Sequence, residues 1–185
     1  MDHNNFIYKY LKKYHEILND TNKHQKIFIK IYNILKKYKN KKKVHIFGNG
    51  GSAAIASHFS MDLTNNSNIR CYNYNEPALI TCYSNDFKYE NWISKVIEKY
   101  GDKDDLLILI SSGGMSKNMI NAVKTAKKLK FYKIITLTGF SKSNNLKKIG
   151  DFNLWVNSKD FNIVENIHQI WLLMIVDMIK IKIKA

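Results

Sequence analysis

The sequence predicts a doubly wound α/β sandwich on a parallel sheet, and three observations carry that expectation. Val44-His45-Ile46-Phe47 runs into Gly48-Asn49-Gly50-Gly51-Ser52 and then a helical stretch, which is a strand, a glycine turn and a helix. Residues 105–110 repeat the unit. They are apolar on both faces, as a central parallel strand is, and open into Ser111-Ser112-Gly113-Gly114-Met115-Ser116 ahead of another helix. Around both units apolar residues recur at helical spacing, and alternating strands and helices of this kind wind into a sheet covered on two sides.

In residues 6–18 the apolar positions Phe6, Ile7, Tyr10, Leu11, Tyr14, Ile17 and Leu18 return every three or four residues, an amphipathic helix. Ile27, Ile31, Ile34, Leu35 and Tyr38 continue the pattern in a second helix over about residues 23–39, ended by Asn40. Both precede every strand and form an N-terminal arm over residues 1–40, with the sandwich over 43–185 of a single domain spanning 1–185. After the first strand, residues 53–63 read as helix, 69–72 as strand, 78–83 as a short apolar segment and 91–100 as helix. Residues 117–129 form the helix after the second glycine turn, 132–138 a strand closed by Gly139, 152–156 the last strand and 163–183 a long final helix.

A chain of 185 residues with 45% apolar and 24% charged residues buries a real core and is not wholly disordered. The longest apolar run, residues 170–176, is too short to cross a bilayer, and the opening Met-Asp-His-Asn-Asn lacks a signal peptide's apolar stretch. The expectation is a cytoplasmic protein with no membrane partner. Cys71 and Cys82 show neither zinc-finger nor disulfide spacing and read as small buried hydrophobes. The net charge of +15 comes almost wholly from Lys, Arg70 being the only arginine, and the lysines are spread. Groove reading favours Arg, so the charge reads as a solvated basic surface rather than a nucleic-acid site.

The two glycine turns carry the chemistry. Each lies between a strand's carboxyl end and a helix's amino end, where free N–H groups and the helix dipole attract an anion. Ser52 in the first, and Ser111, Ser112 and Ser116 in the second, add hydroxyl donors suited to a phosphate; serines there also cap helices. Two such turns in one sheet favour the phosphate. Neither has the spacing of a dinucleotide or nucleoside-triphosphate loop, so no nucleotide cofactor is expected.

Gly48-Asn49-Gly50-Gly51-Ser52-Ala53-Ala54 with His58-Phe59, then Ser84-Asn85-Asp86-Phe87, the run from Ile110 through Ser116-Lys117-Asn118, Thr136-Leu137-Thr138-Gly139 and Glu165-Asn166-Ile167-His168 resemble the SIS (sugar isomerase) domain family. Within it they are most similar to the bacterial phosphoheptose isomerases, over nearly the whole chain. The resemblance implies a three-layer αβα sandwich with a five-stranded parallel sheet. It also implies a homotetramer packed through its N-terminal helices, a phosphorylated sugar as partner, and isomerisation of sedoheptulose 7-phosphate for lipopolysaccharide or capsule precursors. Asn49, Gly50, Gly51, Ser52, Ser111, Ser112 and Ser116 would hold the phosphate, and Asp86 would lie near the substrate. The aromatic residues Phe6, Tyr10, Tyr14, Phe28 and Tyr32 are assigned to oligomer contacts.

The family's zinc ligands and acid–base groups are a His and a Glu four residues apart on the first helix, and a Gln and a His eight apart on the last. These positions hold His58 and Asp62, and Glu165 and Leu173. Two readings follow. In one, His58, Asp62 and Glu165 form a three-ligand zinc site and catalytic set around the sugar carbonyl, with Asp62 or Glu165 as base. In the other, Leu173 in place of the final histidine leaves a non-catalytic module that binds a sugar phosphate or a protein partner, like the SIS relative that associates with the replication initiator. His168, on the same helix face as Glu165, aligns with a family histidine that is not a ligand.

Overall fold

The computed structural model describes residues 2–38 and 42–181. Helix α1 (His3–Asp20) and α2 (Gln25–Lys36), joined by a 3-10 turn (Thr21–His24), lead into β1 (Val44–Gly48) and α3 (Gly51–Ser67). Then come β2 (Cys71–Tyr72), α4 (Pro77–Phe87), α5 (Trp92–Tyr100), β3 (Leu106–Ser111) and α6 (Lys117–Lys128). The chain ends with β4 (Lys133–Thr138), α7 (Asn145–Ile149), β5 (Phe152–Trp155) and α8 (Phe161–Lys180). All five strands are parallel, in the order β2-β1-β3-β4-β5.

The alternation of side chains along β3 builds two cores. Leu106, Ile108 and Ile110 face Ile55, Phe59 and Leu63 of α3 and Val164, Ile167 and Trp171 of α8, whereas Leu107 and Leu109 face Trp92 and Val96 of α5 and Met119 and Val123 of α6. Each fully buried side chain of this kind contributes roughly 1.5–3 kcal/mol, so the sheet's two faces rather than helix propensity hold the elements in register.

The sequence expectation holds for the sheet and most helices and changes in four places. The arm is shorter than residues 1–40, because α2 buries Phe28, Ile31, Tyr32 and Leu35 in the core while α1 buries nothing. Phe28 and Tyr32 are therefore core residues of this chain, Phe28 packing edge-on against Trp171, and not oligomer contacts. The apolar segment 78–83 belongs to the full helix α4, started by Pro77 in its first turn with the Glu76 carboxylate accepting from the Ala78 N–H. Cys82, on the outer side of α4, is exposed and donates to Asp86, whereas Cys71 is buried as expected. The short helix α7 went unread because its five residues hold too little periodicity to see. Asn40 and the tip of the final helix beyond 181 lie outside the described residues. Among the described residues no helix is long and apolar enough to cross a membrane.

Candidate functional site

Strand order reverses between β1 and β3, the place where an open parallel sheet leaves a crevice at its carboxyl edge. Gly48 pairs with Ile110, so the turns 49–52 and 111–116 lie side by side there. Asn49 and Asn118 tie them together, each side-chain amide donating to the other's oxygen at 3.2 and 2.9 Å. The Tyr89 hydroxyl adds a 2.9 Å bond to Asn49 Oδ1. Asn49 thus holds the two turns to each other. Gly50, with φ 55° and ψ −125°, sits where a Cβ is not tolerated, and lets the chain enter α3 with its first N–H groups uncapped by any side chain.

The four serines are not helix caps. Ser116 is the residue before α6, yet its hydroxyl makes no capping bond and lies 3.2 Å from the Ser111 hydroxyl. Ser52 is buried and donates to Glu165 Oε1 over 3.4 Å. The Ser112 hydroxyl is buried with no partner at all, an arrangement proteins avoid unless a ligand supplies the bond. Two helix N-termini and these hydroxyls suit a phosphate without placing a cation beside it.

The other end of the crevice is set by α3 lying along α8. Glu165 meets Ser52, and one turn on, Gln169 meets His58, its Nε2 lying 3.3 Å from His58 Nδ1. Asp62 Oδ2 lies 3.2 Å from the other ring nitrogen, His58 Nε2. A side-chain amide nitrogen only donates, so Nδ1 accepts from Gln169 and the ring proton belongs on Nε2, beside Asp62. The structure therefore brings His58 and Asp62 together but places Glu165 at the Ser52 turn. There its carboxylate lies so close to the Gly51 Cα that a Cβ would overlap Oε2. The expected trio around the carbonyl is corrected in this respect: the i, i+4 row of α8 brings Gln169, not Glu165, to the histidine. Gln169 went unread although it lies four residues beyond Glu165 on the same face. Leu173, four further, is partly buried and apolar.

The same geometry tests zinc. Among the described residues no three His, Cys, Asp or Glu side chains gather as a metal site requires. Glu165 is engaged at Ser52 and no third donor joins His58 and Asp62, so the donors present do not fit a three-ligand zinc centre.

Asp86, exposed at the end of α4, accepts from Asn85 and Cys82, so its hydrogen bonds stay within α4. His168 is buried on the core side of α8, its Nε2 donating to the Thr138 carbonyl at 3.2 Å and its Nδ1 without a partner. Burial pushes its pKa down to about 4, against a smaller upward pull from the Thr138 bond. It does not replace the absent histidine. At the opposite sheet edge, buried His45 bridges Asp105 Oδ2, at 2.9 Å, and the Tyr74 hydroxyl, at 3.2 Å.

A family model described as SIS domain matches residues 9–139. A phosphoheptose isomerase from Fusobacterium nucleatum is 32% identical over 176 residues, which cover 92% of this chain and 88% of that protein. One from Glaesserella parasuis is 41% identical over 107 residues, 55% of each chain, so the matched stretch spans only about half of that relative's length. The solved phosphoheptose isomerase of Francisella tularensis superposes with a TM-score of 0.89 at 26% identity, over 97% of this chain and 98% of that one. The chain belongs to the SIS domain family, alongside relatives named phosphoheptose isomerase.

Proposed function

We propose that the chain is an aldose–ketose isomerase of a phosphorylated sugar, sedoheptulose 7-phosphate being the best candidate, in the supply of heptose for surface polysaccharide. The observation that carries this reading is the pair of serine turns joined by Asn49 and Asn118, with hydroxyls that cap nothing and one of them orphaned. The phosphate lies against Ser52, Ser111, Ser112 and Ser116, and the sugar runs along α3. Six residues of helix rise, about 9 Å, separate Ser52 from His58, so a seven-carbon chain held by its phosphate brings its carbonyl end to the His58–Asp62 pair.

The Asp62 carboxylate takes a proton from C1 of the ketose and returns it to C2, while His58 moves the hydroxyl proton from O1 to O2 through the enediol. C1 is oxidised as C2 is reduced, and no outside oxidant takes part. Helix α1 presents Phe6, Ile7, Tyr8 and Leu11, all more than half exposed, which supports assembly with further copies of the chain as a homotetramer. The cytoplasm is where such sugar phosphates are made.

Turnover of sedoheptulose 7-phosphate, followed by NMR as aldose formation and as exchange of the C1 proton with deuterated water, tests the reading. Both signals are expected. Their absence beside clear thermal stabilisation by the sugar phosphate would leave a binding module, the second reading, which the apolar Leu173 favours.

A further inference from the structure

We propose that this centre works without a divalent cation, because Gln169 takes the second nitrogen of His58 and acts as the positioning residue of the His58–Asp62 pair. The proposal rests on the isomerase reading for its kinetics but not for its metal chemistry. A ligand histidine offers a bare ring nitrogen to the metal and steadies itself by a bond from the other. In this chain the bond at Nδ1 runs the other way: Nδ1 accepts from the Gln169 amide at 3.3 Å, so Nε2, 3.2 Å from Asp62 Oδ2 and open to the sugar, carries the proton and is not a bare ligand nitrogen.

The remaining donors are likewise committed. Glu165 accepts from the Ser52 hydroxyl at the far end of the seam, and Asn66 Nδ2 reaches Asp62 Oδ1 at 3.4 Å. The next position on the α8 row is Leu173, which has no donor atom. No third His, Cys, Asp or Glu joins His58 and Asp62 among the described residues, so a cation would find two donors, one of them a protonated ring nitrogen. Gln169 keeps the imidazole plane and the Nε2 proton where Asp62 uses them. It touches no reacting atom.

Two measurements on the full-length chain test this. First, the protein is stripped with chelator, dialysed against zinc sulfate and assayed for bound metal by mass spectrometry. Substoichiometric zinc is expected, and one zinc per chain that His58→Ala removes would overturn the proposal. Second, turnover is measured with and without chelator for the wild-type chain and for Gln169→Leu. Wild-type turnover is expected to resist the chelator. The variant should lose about tenfold in kcat, part of the roughly 10²–10⁴ that acid–base positioning supplies, at unchanged KM and unchanged melting temperature. Chelator-sensitive wild-type turnover, an unchanged kcat in Gln169→Leu, or a fall in kcat matched by a lower melting temperature would each sink it. If the wild-type chain turns over no sugar phosphate, the isomerase reading fails, while the zinc assay still decides the metal.

Discussion

Lowering the pH from neutrality should weaken this fold through His168 in a defined window. Its ring is fully buried, donates from Nε2 to the Thr138 carbonyl and has no partner at Nδ1, so the folded chain holds it neutral. The pKa falls from 6.5 to about 4. In between, the unfolded chain carries a proton that the native chain refuses, so stability rises with pH across this interval. It is complete above 6.5, declines as pH falls towards about 4, and changes no further below that through this group. At about 1.4 kcal/mol per pH unit the interval amounts to about 3 kcal/mol, against the roughly 5–15 kcal/mol that holds a typical domain. Urea unfolding at fixed protein concentration from pH 7 to pH 4 reads it. His24, half-buried and also lowered chiefly by burial, adds to the same slope. The comparison is therefore with His168→Gln, whose amide can still donate to Thr138 but does not titrate. The difference between the two stability curves should change by about 3 kcal/mol over the window. Curves that stay parallel would refute the buried neutral imidazole.

Asp105→Asn should cost about 3 kcal/mol in urea unfolding, because it leaves buried His45 without its carboxylate. Burial pushes the Asp105 carboxyl up, but the bonds from His45 and the N–H groups of Asp102 and Lys43 outweigh it and hold the pKa below 3.8. Stability from this group is therefore present above that value and lost only below it, outside the His168 window. Asn118→Leu removes the amide bridge between the turns and strands Asn49, so sugar-phosphate affinity measured calorimetrically should drop by about tenfold, the equivalent of about 1.4 kcal/mol. Gly51→Ala drives a methyl group into the Glu165 carboxylate, whose flexible end swings off Ser52, so the cost should be about 0.5–1 kcal/mol, that of one hydrogen bond. Gly51→Ala combined with Glu165→Ala should recover most of that loss; strict additivity of the two would show that the residues do not touch.

What the sequence made legible follows from where backbone physics decides the outcome. The strand 105–110 is apolar on both faces and could only be central, and the glycine turns fix where a helix starts and where an anion fits. The limits of α2 were less legible because its apolar stripe meets the sheet while that of α1 does not, and the two stripes look alike in sequence. Cys82 was misjudged for a related reason: thiols are usually buried, but α4 lies on the surface and buries none of its residues. In the site, the serines could be named because their turns are local. Glu165 could be named but not placed, since its position depends on the stagger of α8 against α3, a contact between residues more than a hundred apart. Gln169 carries no motif at all.

The departures at 62, 165 and 173 have a common physical setting that separates what this chain retains from what it changes. In the proposed reading phosphate is held by hydroxyls and backbone at the strand ends, set by Gly48-Asn49-Gly50-Gly51-Ser52 and Ser111-Ser112-Gly113-Gly114, which α8 meets through Glu165 at Ser52. The proton-moving end depends wholly on how α8 faces α3. A shorter carboxylate at Asp62 still reaches the histidine one turn back, at 3.2 Å, because both ride on the same helix. A donor lost at Leu173 cannot be replaced from α3, but it can be offset from α8 itself, one turn earlier, by an amide at Gln169. Changes confined to Asp62, Gln169 and Leu173, away from the Glu165–Ser52 contact, leave substrate affinity largely in place and act on kcat. Binding and turnover should therefore respond to separate sets of substitutions, the serine turns moving KM and the seam residues moving kcat.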